Sequence, residues 1–499
     1  MRLKYQLHII HSVQAHVRLK SPFKKLKVDI NKCGSEAYHC LNLRGLLFFI
    51  LVVSLLLFII FVNGSAYAAK QVCAKYQCKT PSVSDPNLRL EIVYQGNYTA
   101  ANYTNSGSKL HLSPVTKMAF LGYNDILMLS KNDGKVVRIV NHTLLPQPLL
   151  DLKVANAWER GLLGIAVGRD GGSVRVFLYY TQSKTGDGRD VCPTIFCAKS
   201  TEPIQNKLYR FELNNNKLIN PKLLFSAPKS NVASHIGGAL EIGPDNYLYL
   251  IIGDIHGYQN KTTTLAQNYK NGLFPDGRAG ILRLTQDGKA VGGGLLGKKY
   301  PLNLYYAYGI RNGYGLDFDP VSGKLWDTEN GPEYGDEINL VNPGFDSGWN
   351  VIQGIWQGRS LSNIGKIVLD QPQGLVNFGG KGKYREPEFV WNNTAAPTAV
   401  RFLNSDKLGK KYENDLFVAS FNRGVIYHFE LNENRNGLKL SGAFNSTLAE
   451  DQNPKDLIFA RGLGGITDMH VGPDGNFYVL SRYFSKPTIF EISNTSETT

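Results

Sequence analysis

The sequence is short of methionine and cysteine, with four and six of them among its 499 residues. Four of the cysteines form two close pairs, and neither pair has the additional Cys or His ligands that a zinc site requires. No stretch shows sustained helical periodicity, which argues against a predominantly helical fold. A dense basic stripe is also missing, although the formal net charge is +14. Residues 1–69 hold nine Lys and Arg against two acidic residues, and the remaining excess is dispersed, so nucleic acid is not an expected partner.

One long apolar run stands out near the N-terminus. Residues 46–62 read LLFFILVVSLLLFIIFV and are interrupted only by Ser54. This length is at the short end of what crosses a bilayer as a helix. The basic flank precedes the run, so residues 1–45 are expected in the cytoplasm and the rest of the chain outside it. Because the small residues up to Ala68 suit a signal peptidase, two locations are open: a single-pass cell-membrane protein, or a protein secreted after cleavage there.

The positions of the cysteines agree with export. Four of them follow the apolar run in two pairs, each with four residues between the thiols, and they predict two local disulfides, with cross-pairing left open. These cysteines are Cys73, Cys78, Cys192 and Cys197. Seven N-x-S/T sequons in the same part of the chain are typical of a glycosylated surface protein. Their asparagines are Asn97, Asn102, Asn141, Asn260, Asn392, Asn445 and Asn494.

A repeated strand–turn–strand pattern organises the rest of the chain. A short apolar strand, a Gly/Asp/Asn turn and a second strand rich in β-branched and aromatic residues recur six times. The six units begin at Ala119, Ile165, Glu241, Asp317, Tyr412 and His470. They predict an all-β fold, a six-bladed β-propeller over residues 112–493, because a β-sandwich would need fewer than half of these strands. Residues 63–111 are expected to form a polar stalk or lead-in, and residues 494–499 a tail.

Three segments are more specific than ordinary propeller sequence. They are WERGLLGIAVG from Trp158, SHIGGALEIGPDNYLYLIIGDIHG around His235, and residues 306–350. The last of these contains R-N-x-x-G-L, E-N-G-P, G-D-E-I-N-L and G-W-N in that order. Together the three segments resemble the glucose/sorbosone dehydrogenase family, which includes soluble pyrroloquinoline-quinone glucose dehydrogenases and aldose sugar dehydrogenases. The resemblance extends from about Leu112 to Ser493.

The resemblance implies a six-bladed propeller with pyrroloquinoline quinone on its wide face and Ca²⁺ beneath the quinone. On matching positions it makes His235 the general base for the sugar's anomeric hydroxyl, with Asp254 behind it. An imidazole titrates near neutral pH, and a carboxylate fixes its tautomer and stabilises the imidazolium, which explains this choice of residues. Without the resemblance, His235 and Asp254 would be interpreted as turn-capping residues.

The resemblance also implies ligands for the cofactor, the metal and the substrate. Arg311 and Asn312 are expected to contact the anionic and carbonyl oxygens of the quinone, since a guanidinium fork suits a carboxylate. Further cofactor contacts are expected from Asn330 and Arg423. The expected Ca²⁺ ligands are the backbone carbonyls of Gly331 and Pro332, because Ca²⁺ prefers oxygen. Glu159 is expected near the substrate.

The C-terminal part of the chain departs from the pattern of the glucose dehydrogenase branch. That branch has a lysine where this chain has Asn422, and two arginines where it has Gly465 and Thr467, with Arg461 the one cation nearby. Each lost charge-assisted bond to a tricarboxylate is worth about 1.5–3 kcal/mol. The departures therefore favour either a weakened quinone site or a site adapted to another ligand.

Three functions follow from these observations. The first is an extracytoplasmic quinoprotein dehydrogenase that oxidises an aldose or related sugar and passes electrons to an unidentified membrane or small-molecule acceptor. The second is a non-catalytic cell-surface propeller that binds glycans or a protein partner, as the missing cations suggest. The third is a Ca²⁺-dependent lactonase, which would need acidic and amide side chains converging on one metal.

Overall fold

A computed structural model describes residues 80–96, 114–183, 204–255, 263–355, 374–441, 448–449 and 455–496. The chain divides into two compact units, Met1–Tyr67 and Ala68–Thr499, and every described residue belongs to the second. The apolar run at 46–62 and all six cysteines lie outside the described residues. Among the residues that are described, no helix is long and apolar enough to cross a membrane.

The described residues form β-strands, joined by turns and four single-turn 3₁₀ helices. The strands are arranged in six sheets, named A to F here in their order around the molecule. The 3₁₀ helices are Leu265–Gln267, Leu302–Leu304, Lys410–Tyr412 and Lys455–Leu457. Two strands precede the first sheet along the chain: β1 (Ser82–Val83) and β2 (Leu88–Gln95).

The first three sheets take up residues 115–308, with two later strands added to the third. Sheet A consists of β3 (Val115–Gly122), β4 (Asp125–Ser130), β5 (Lys135–Val140), β6 (Thr143–Leu144) and β7 (Leu150–Asp151). Sheet B consists of β8 (Leu162–Asp170), β9 (Ser173–Gln182), β10 (Gln205–Asn214) and β11 (Lys217–Ser226). Sheet C consists of β12 (Leu240–Ile242), β13 (Leu248–Ile252), β14 (Gly280–Leu284), β15 (Tyr305–Tyr308), β19 (Phe345–Asp346) and β20 (Lys383–Tyr384).

The other three sheets are formed mainly by the C-terminal half. Sheet D consists of β16 (Gly313–Phe318), β17 (Leu325–Glu329), β18 (Asp336–Val341), β21 (Phe389–Trp391) and β25 (Leu448–Ala449). Sheet E consists of β1, β22 (Pro397–Phe402), β23 (Leu416–Ser420), β24 (Val425–Phe429) and β26 (Ile458–Arg461). Sheet F consists of β2, β27 (Gly465–Val471), β28 (Phe477–Tyr483) and β29 (Lys486–Asn494).

The innermost strands of the sheets form a closed ring. Strand β3 contacts β8, and the contacts continue through β12, β16, β22 and β27 back to β3. Aromatic pairs fill the spaces between neighbouring sheets, such as Trp326 with Phe402 between sheets D and E, whose ring centroids are 6.1 Å apart. Edge-to-face pairs of this kind add to the area that they bury. The predicted all-β propeller is confirmed.

The ring is closed by strands from the two ends of the propeller sequence. Strand β2 pairs antiparallel with β29, and β1 pairs antiparallel with β26. The predicted stalk at residues 63–111 therefore contains two strands of the propeller, which begins before the predicted start at Leu112. The polar composition of residues 70–110 as a whole concealed the short strand LRLEIVYQ. Pairing the termini in one sheet removes two exposed strand edges.

A network of charges lies among the innermost strands. Lys117 of β3 contacts Asp468 of β27 at 3.2 Å. Arg401 of β22 contacts Glu241 of β12 at 2.7 Å and Asp317 of β16 at 3.1 Å. Because only 12% of the Arg401 side chain is exposed, its removal would leave the two carboxylates without their cation in a poorly hydrated place. These pairs link five of the six innermost strands.

We predict that Arg401→Met lowers the free energy of unfolding by about 3–5 kcal/mol, because a buried ion pair that loses one partner leaves an uncompensated charge. Urea unfolding followed by tryptophan fluorescence measures the effect. Lys439→Met is the matched control, since Lys439 contacts Glu430 on the surface with 66% of its side chain exposed. An Arg401→Met protein as stable as the control variant would show that the network does not stabilise the ring.

Candidate functional site

The structure brings His235 and Asp254 together. Asp254 follows the end of β13, and His235 lies in the segment before β12 with a left-handed backbone (φ 56°). His235 Nδ1 lies 2.6 Å from Asp254 Oδ1, and both side chains are buried. The carboxylate favours the tautomer with hydrogen on Nδ1, which places the basic lone pair on Nε2. A non-glycine residue held at positive φ is often part of a functional site.

Trp349 connects this pair to Arg311. Its indole Nε1 donates to Asp254 Oδ2 at 2.8 Å, and the Arg311 guanidinium lies over its ring at 5.3 Å from the centroid. The indole therefore fixes the second oxygen of the carboxylate that orients the imidazole. Sequence reasoning assigned no role to Trp349, although it is the tryptophan of the G-W-N motif.

Gly253 allows the backbones of His235 and Arg311 to meet. A Cβ atom at Gly253 would lie 2.3 Å from the carbonyl oxygen of His235 and 2.9 Å from that of Arg311. The amide of Asp254 also donates to the Arg311 carbonyl at 2.9 Å. Only glycine permits this close approach, so the residues expected to handle substrate and cofactor share one backbone junction.

Arg311 contacts the turn that was expected to bind calcium. Its Nη1 donates to the carbonyls of Asn330 at 2.6 Å and Gly331 at 2.9 Å. Pro332 is exposed beside them, and Asn330 Nδ2 donates to the Pro397 carbonyl at 2.9 Å. Carbonyl oxygens suit Ca²⁺ chemically, but the guanidinium already uses one acceptor position of Gly331. Within the described part of the chain, no group of three or more His, Cys, Asp or Glu side chains could hold a metal ion.

Glu159 joins the site from the turn that precedes β8. Its Oε2 accepts hydrogen bonds from the Tyr314 hydroxyl, from Asn312 Nδ2 at 3.3 Å and from the amide of Ile236 at 3.3 Å. Asn312 Oδ1 is buried and has no hydrogen-bond partner in the structure. Buried polar atoms are usually paired, so this oxygen is a candidate acceptor for a bound ligand. Burial, and then the charge of Glu159, raise the pKa of Tyr314 well above its ordinary value, so this phenol remains a donor. Sequence reasoning missed Tyr314.

Arg423 is not brought together with these residues. Its guanidinium donates to the Tyr427 hydroxyl at 3.0 Å and to the Asn393 carbonyl at 3.1 Å. Both partners belong to the wall formed by sheets D and E rather than to the group around His235. The expected contact of Arg423 with the cofactor stays a prediction.

Three buried carboxylic acids, Asp327, Glu329 and Glu337, form an acidic cluster behind Arg311. Glu329 Oε2 accepts the Arg311 amide at 2.9 Å, and Asn339 Nδ2 lies 3.2 Å from both Glu329 Oε1 and Glu337 Oε2. Burial is the largest cause that raises the pKa of all three acids, and it brings that of Glu337 to about 7. The raised pKa values mean that the cluster holds protons near neutral pH and carries less than its full negative charge. Its hydrogen bond to the Arg311 amide fixes the Arg311 backbone.

Comparisons with known proteins find relatives that match most of the propeller sequence. The model of the family described as Glucose / Sorbosone dehydrogenase matches residues 112–485. An aldose sugar dehydrogenase of Escherichia coli is 25% identical over 371 residues, which cover 73% of this chain and 86% of that protein. Quinoprotein glucose dehydrogenase B of Acinetobacter calcoaceticus is 26% identical over 450 residues, which cover 77% of this chain and 87% of that protein.

Solved structures show the same fold. The apo form of the soluble aldose sugar dehydrogenase of Escherichia coli has a TM-score of 0.57 at 20% identity, covering 82% of this chain and 99% of that chain. The PQQ-bound aldose sugar dehydrogenase of Streptomyces coelicolor has a TM-score of 0.53 at 18% identity, covering 83% of this chain and 100% of that chain. At these identities the similarity supports the propeller itself.

The acidic cluster makes a prediction about pH. The folded protein keeps a proton on Glu337 up to about pH 7, whereas the unfolded chain releases it near the ordinary glutamate pKa. The contribution of this one proton to stability is therefore largest at low pH, falls by up to about 1.4 kcal/mol per pH unit between about pH 4.5 and 7, and is lost above pH 7. Glu337→Gln should reduce this slope, measured by urea unfolding between pH 5 and 8.

Glu413→Gln, at an exposed glutamate directly after the 3₁₀ helix Lys410–Tyr412, is the control and should keep the wild-type slope. An unchanged slope in Glu337→Gln would mean that Glu337 is ionised in the folded protein. The acidic cluster would then be negatively charged in the folded protein, contrary to the proposed protonation of Glu337.

Proposed function

The chain belongs to the glucose/sorbosone dehydrogenase family, and we propose that it is an extracytoplasmic quinoprotein dehydrogenase that oxidises an aldose or a related sugar. The observation that carries this proposal is the buried group of His235, Asp254, Trp349 and Arg311. A base with its orienting carboxylate lies there beside a cation that suits an anionic cofactor. The sugar dehydrogenase and quinoprotein names of the two curated relatives support the same reaction class.

The residues present fit pyrroloquinoline quinone on one side of the site. Arg311 offers a guanidinium for a carboxylate, and Asn312 offers a buried amide oxygen that can accept a hydrogen bond from an N–H or O–H group of the ligand. Asn330 lies next to both through its backbone contact with Asn312. When bound, the quinone would supply a two-electron acceptor for the hydride of the sugar's anomeric carbon. Arg311 and Asn312 would hold it.

His235 performs the proton chemistry in this proposal. Its Nε2 takes the proton of the anomeric hydroxyl while the anomeric carbon loses hydride, so an aldose leaves as its lactone. Asp254 stabilises the imidazolium that forms, and Trp349 keeps the carboxylate in place. General-base catalysis of this kind contributes about 10²–10⁴-fold. Glu159 and Tyr314 are placed to hydrogen-bond sugar hydroxyls.

Calcium would be held by carbonyl oxygens of the Gly331–Pro332 turn. There it would polarise an oxygen of the ligand as a Lewis acid. The Gly331 carbonyl is shared with Arg311, so cation and guanidinium compete unless an anionic ligand draws Arg311 away. An anion between them would remove that repulsion.

The remaining features of the proposal concern the whole molecule. Each of the six sheets is one blade of a six-bladed propeller. Residues 46–62 anchor the chain in the cell membrane, or the protein is secreted after cleavage at Ala68. The two cysteine pairs form disulfides outside the cytoplasm. The electron acceptor remains to be identified.

A non-catalytic cell-surface propeller is the second candidate. Asn422, Gly465 and Thr467 stand where the glucose dehydrogenase branch has cations, and this favours a binding protein for glycans or another protein. The lactonase alternative has less support. Among the described residues the acidic side chains do not converge in the metal-binding group that such an enzyme needs.

Activity of the full-length chain tests the proposal. Given Ca²⁺ and pyrroloquinoline quinone, the purified protein should reduce an artificial dye when aldoses are supplied. His235→Ala should lower kcat by about 10²–10⁴-fold while the quinone stays bound, since the base acts on the sugar. Arg311→Gln should instead weaken quinone binding. His142→Ala, at an exposed histidine after β5, should behave like the wild type.

Two results would contradict the proposal. If saturating Ca²⁺ and high micromolar quinone give no detectable binding, the non-catalytic candidate takes first place. If His235→Ala keeps wild-type turnover, the histidine is not the base.

A further inference from the structure

Lys131 is a buried cation that sequence reasoning did not single out. It follows β4 directly and is 8% exposed. Its Nζ donates to Asn132 Oδ1 at 2.9 Å and to the carbonyl of Asn156 at 3.4 Å. Lysine is rarely buried unless it is paired, and these two partners are neutral. The burial of its ammonium therefore needs an explanation.

Lys131 lies next to the W-E-R-G segment of the candidate site. Its carbonyl accepts the amide of Leu162 at 2.9 Å. A Cβ atom at Gly161 would lie 2.5 Å from that carbonyl and 2.7 Å from Cγ of Lys131, so the segment packs directly on this residue. Two residues earlier, Glu159 bonds to Asn312 and Tyr314. Lys131 is thus connected to the residues expected to bind the ligand.

Arg482 is a second cation on this side of the ring. It lies near the end of β28, and its guanidinium lies 5.3 Å from the centroid of the Phe421 ring. A Cβ atom at Gly465 would lie 2.7 Å from the same ring. Phe421 also precedes Asn422 in the chain. Arg482 is therefore paired across the sheet with Gly465, one of the three positions at which the glucose dehydrogenase branch has cations, and its guanidinium contacts the residue before a second.

The electrostatics of this pair favour an anion. Burial, followed by the positive charge of Arg482, lowers the pKa of Lys131 to about 7, and the charge of Glu159 acts in the opposite direction. The two cations are thus close enough to repel each other, and the Glu159 carboxylate offsets part of this repulsion. A negatively charged ligand beside Lys131 would offset the burial of its ammonium and its repulsion by Arg482.

The ring order adds a geometric argument. Lys131 belongs to sheet A, and Arg311 immediately precedes β16 of sheet D, which lies on the opposite side of the ring of innermost strands. Arg482 belongs to sheet F, the neighbour of sheet A. A ligand on the axis would therefore meet Arg311 on one side and Lys131 with Arg482 on the other, as a flat molecule with several carboxylates requires.

We propose that Lys131 and Arg482 bind carboxylates of the anionic quinone and replace the lysine and arginines that the C-terminal part of the chain lacks. This inference rests on the proposed function, since it assigns further ligands to the same cofactor. Lys131, directly after β4, and Arg482, in β28, would supply these cations instead of the positions of Asn422, Gly465 and Thr467.

Equilibrium binding without sugar tests the inference independently of turnover. Quenching of tryptophan fluorescence in the full-length, Ca²⁺-loaded protein gives the Kd of pyrroloquinoline quinone. Lys131→Met and Arg482→Gln should each raise this Kd about 10-fold or more, as the loss of a charge-assisted bond predicts. Lys131→Arg and Arg482→Lys, which keep the charge, should stay within about 3-fold of the wild type. Lys217→Met, at an exposed lysine of β11, is the control.

The trimethyl ester of the quinone adds a second arm, because it keeps the ring system and loses the carboxylate charges. The wild type should prefer the acid to the ester, and the preference should shrink in Lys131→Met and Arg482→Gln. Thermal unfolding monitors the fold of each variant. If one variant does not fold, the other still decides the question.

The outcomes separate the two claims. Wild-type binding that both variants retain at full strength would overturn this inference and leave the proposed function intact. A wild-type protein that does not bind the quinone would overturn the proposed function, and the inference would fall with it. Binding that weakens equally for acid and ester would also overturn the inference, because carboxylates would then not be what the cations recognise.

Discussion

The 2.6 Å contact between His235 Nδ1 and Asp254 Oδ1 is the interaction on which the candidate site depends. Both groups are buried, so the pair is held in a low-dielectric place where each polar atom needs a partner. The Trp349 indole N–H donates to the other carboxylate oxygen, and the Arg311 guanidinium lies over the Trp349 ring. Orientation of the imidazole and placement of the cation therefore have one structural cause, and a change in Trp349 would disturb both.

The same part of the molecule contains a large amount of buried acid. Asp327, Glu329 and Glu337 are held in an interior that disfavours their charged forms. Such groups are costly to bury, and their hydrogen bonds to the Arg311 amide and to Asn339 show what they fix in place. A rigid backbone around Arg311 is what preorganised ligand binding requires. The protonated acids therefore fix the backbone of Arg311, and in the proposal the Arg311 guanidinium contacts the ligand.

The fold could be predicted from the sequence because hairpin patterns are local. Two strands of alternating pattern separated by a P-D-G turn can be recognised within about 15 residues. Sequence reasoning also identified His235 and Asp254, through motifs that resemble a family. It did not find β2, whose eight residues lie in a polar stretch and become a strand only by pairing with β29. Lys131 escaped notice because its importance depends on burial and on Arg482, far away in the chain. Arg423 was assigned to the cofactor from the family resemblance, and the structure shows its guanidinium donating to Tyr427 and to the Asn393 carbonyl.

A crystal structure of the full-length protein with pyrroloquinoline quinone, Ca²⁺ and an aldose bound would test the central claim most directly. The account predicts the sugar's anomeric oxygen within about 3 Å of His235 Nε2, at hydrogen-bonding distance. It also predicts a quinone carboxylate on Arg311. Density for the quinone away from the ring axis, or a sugar whose anomeric oxygen does not reach His235 even through one water, would contradict it.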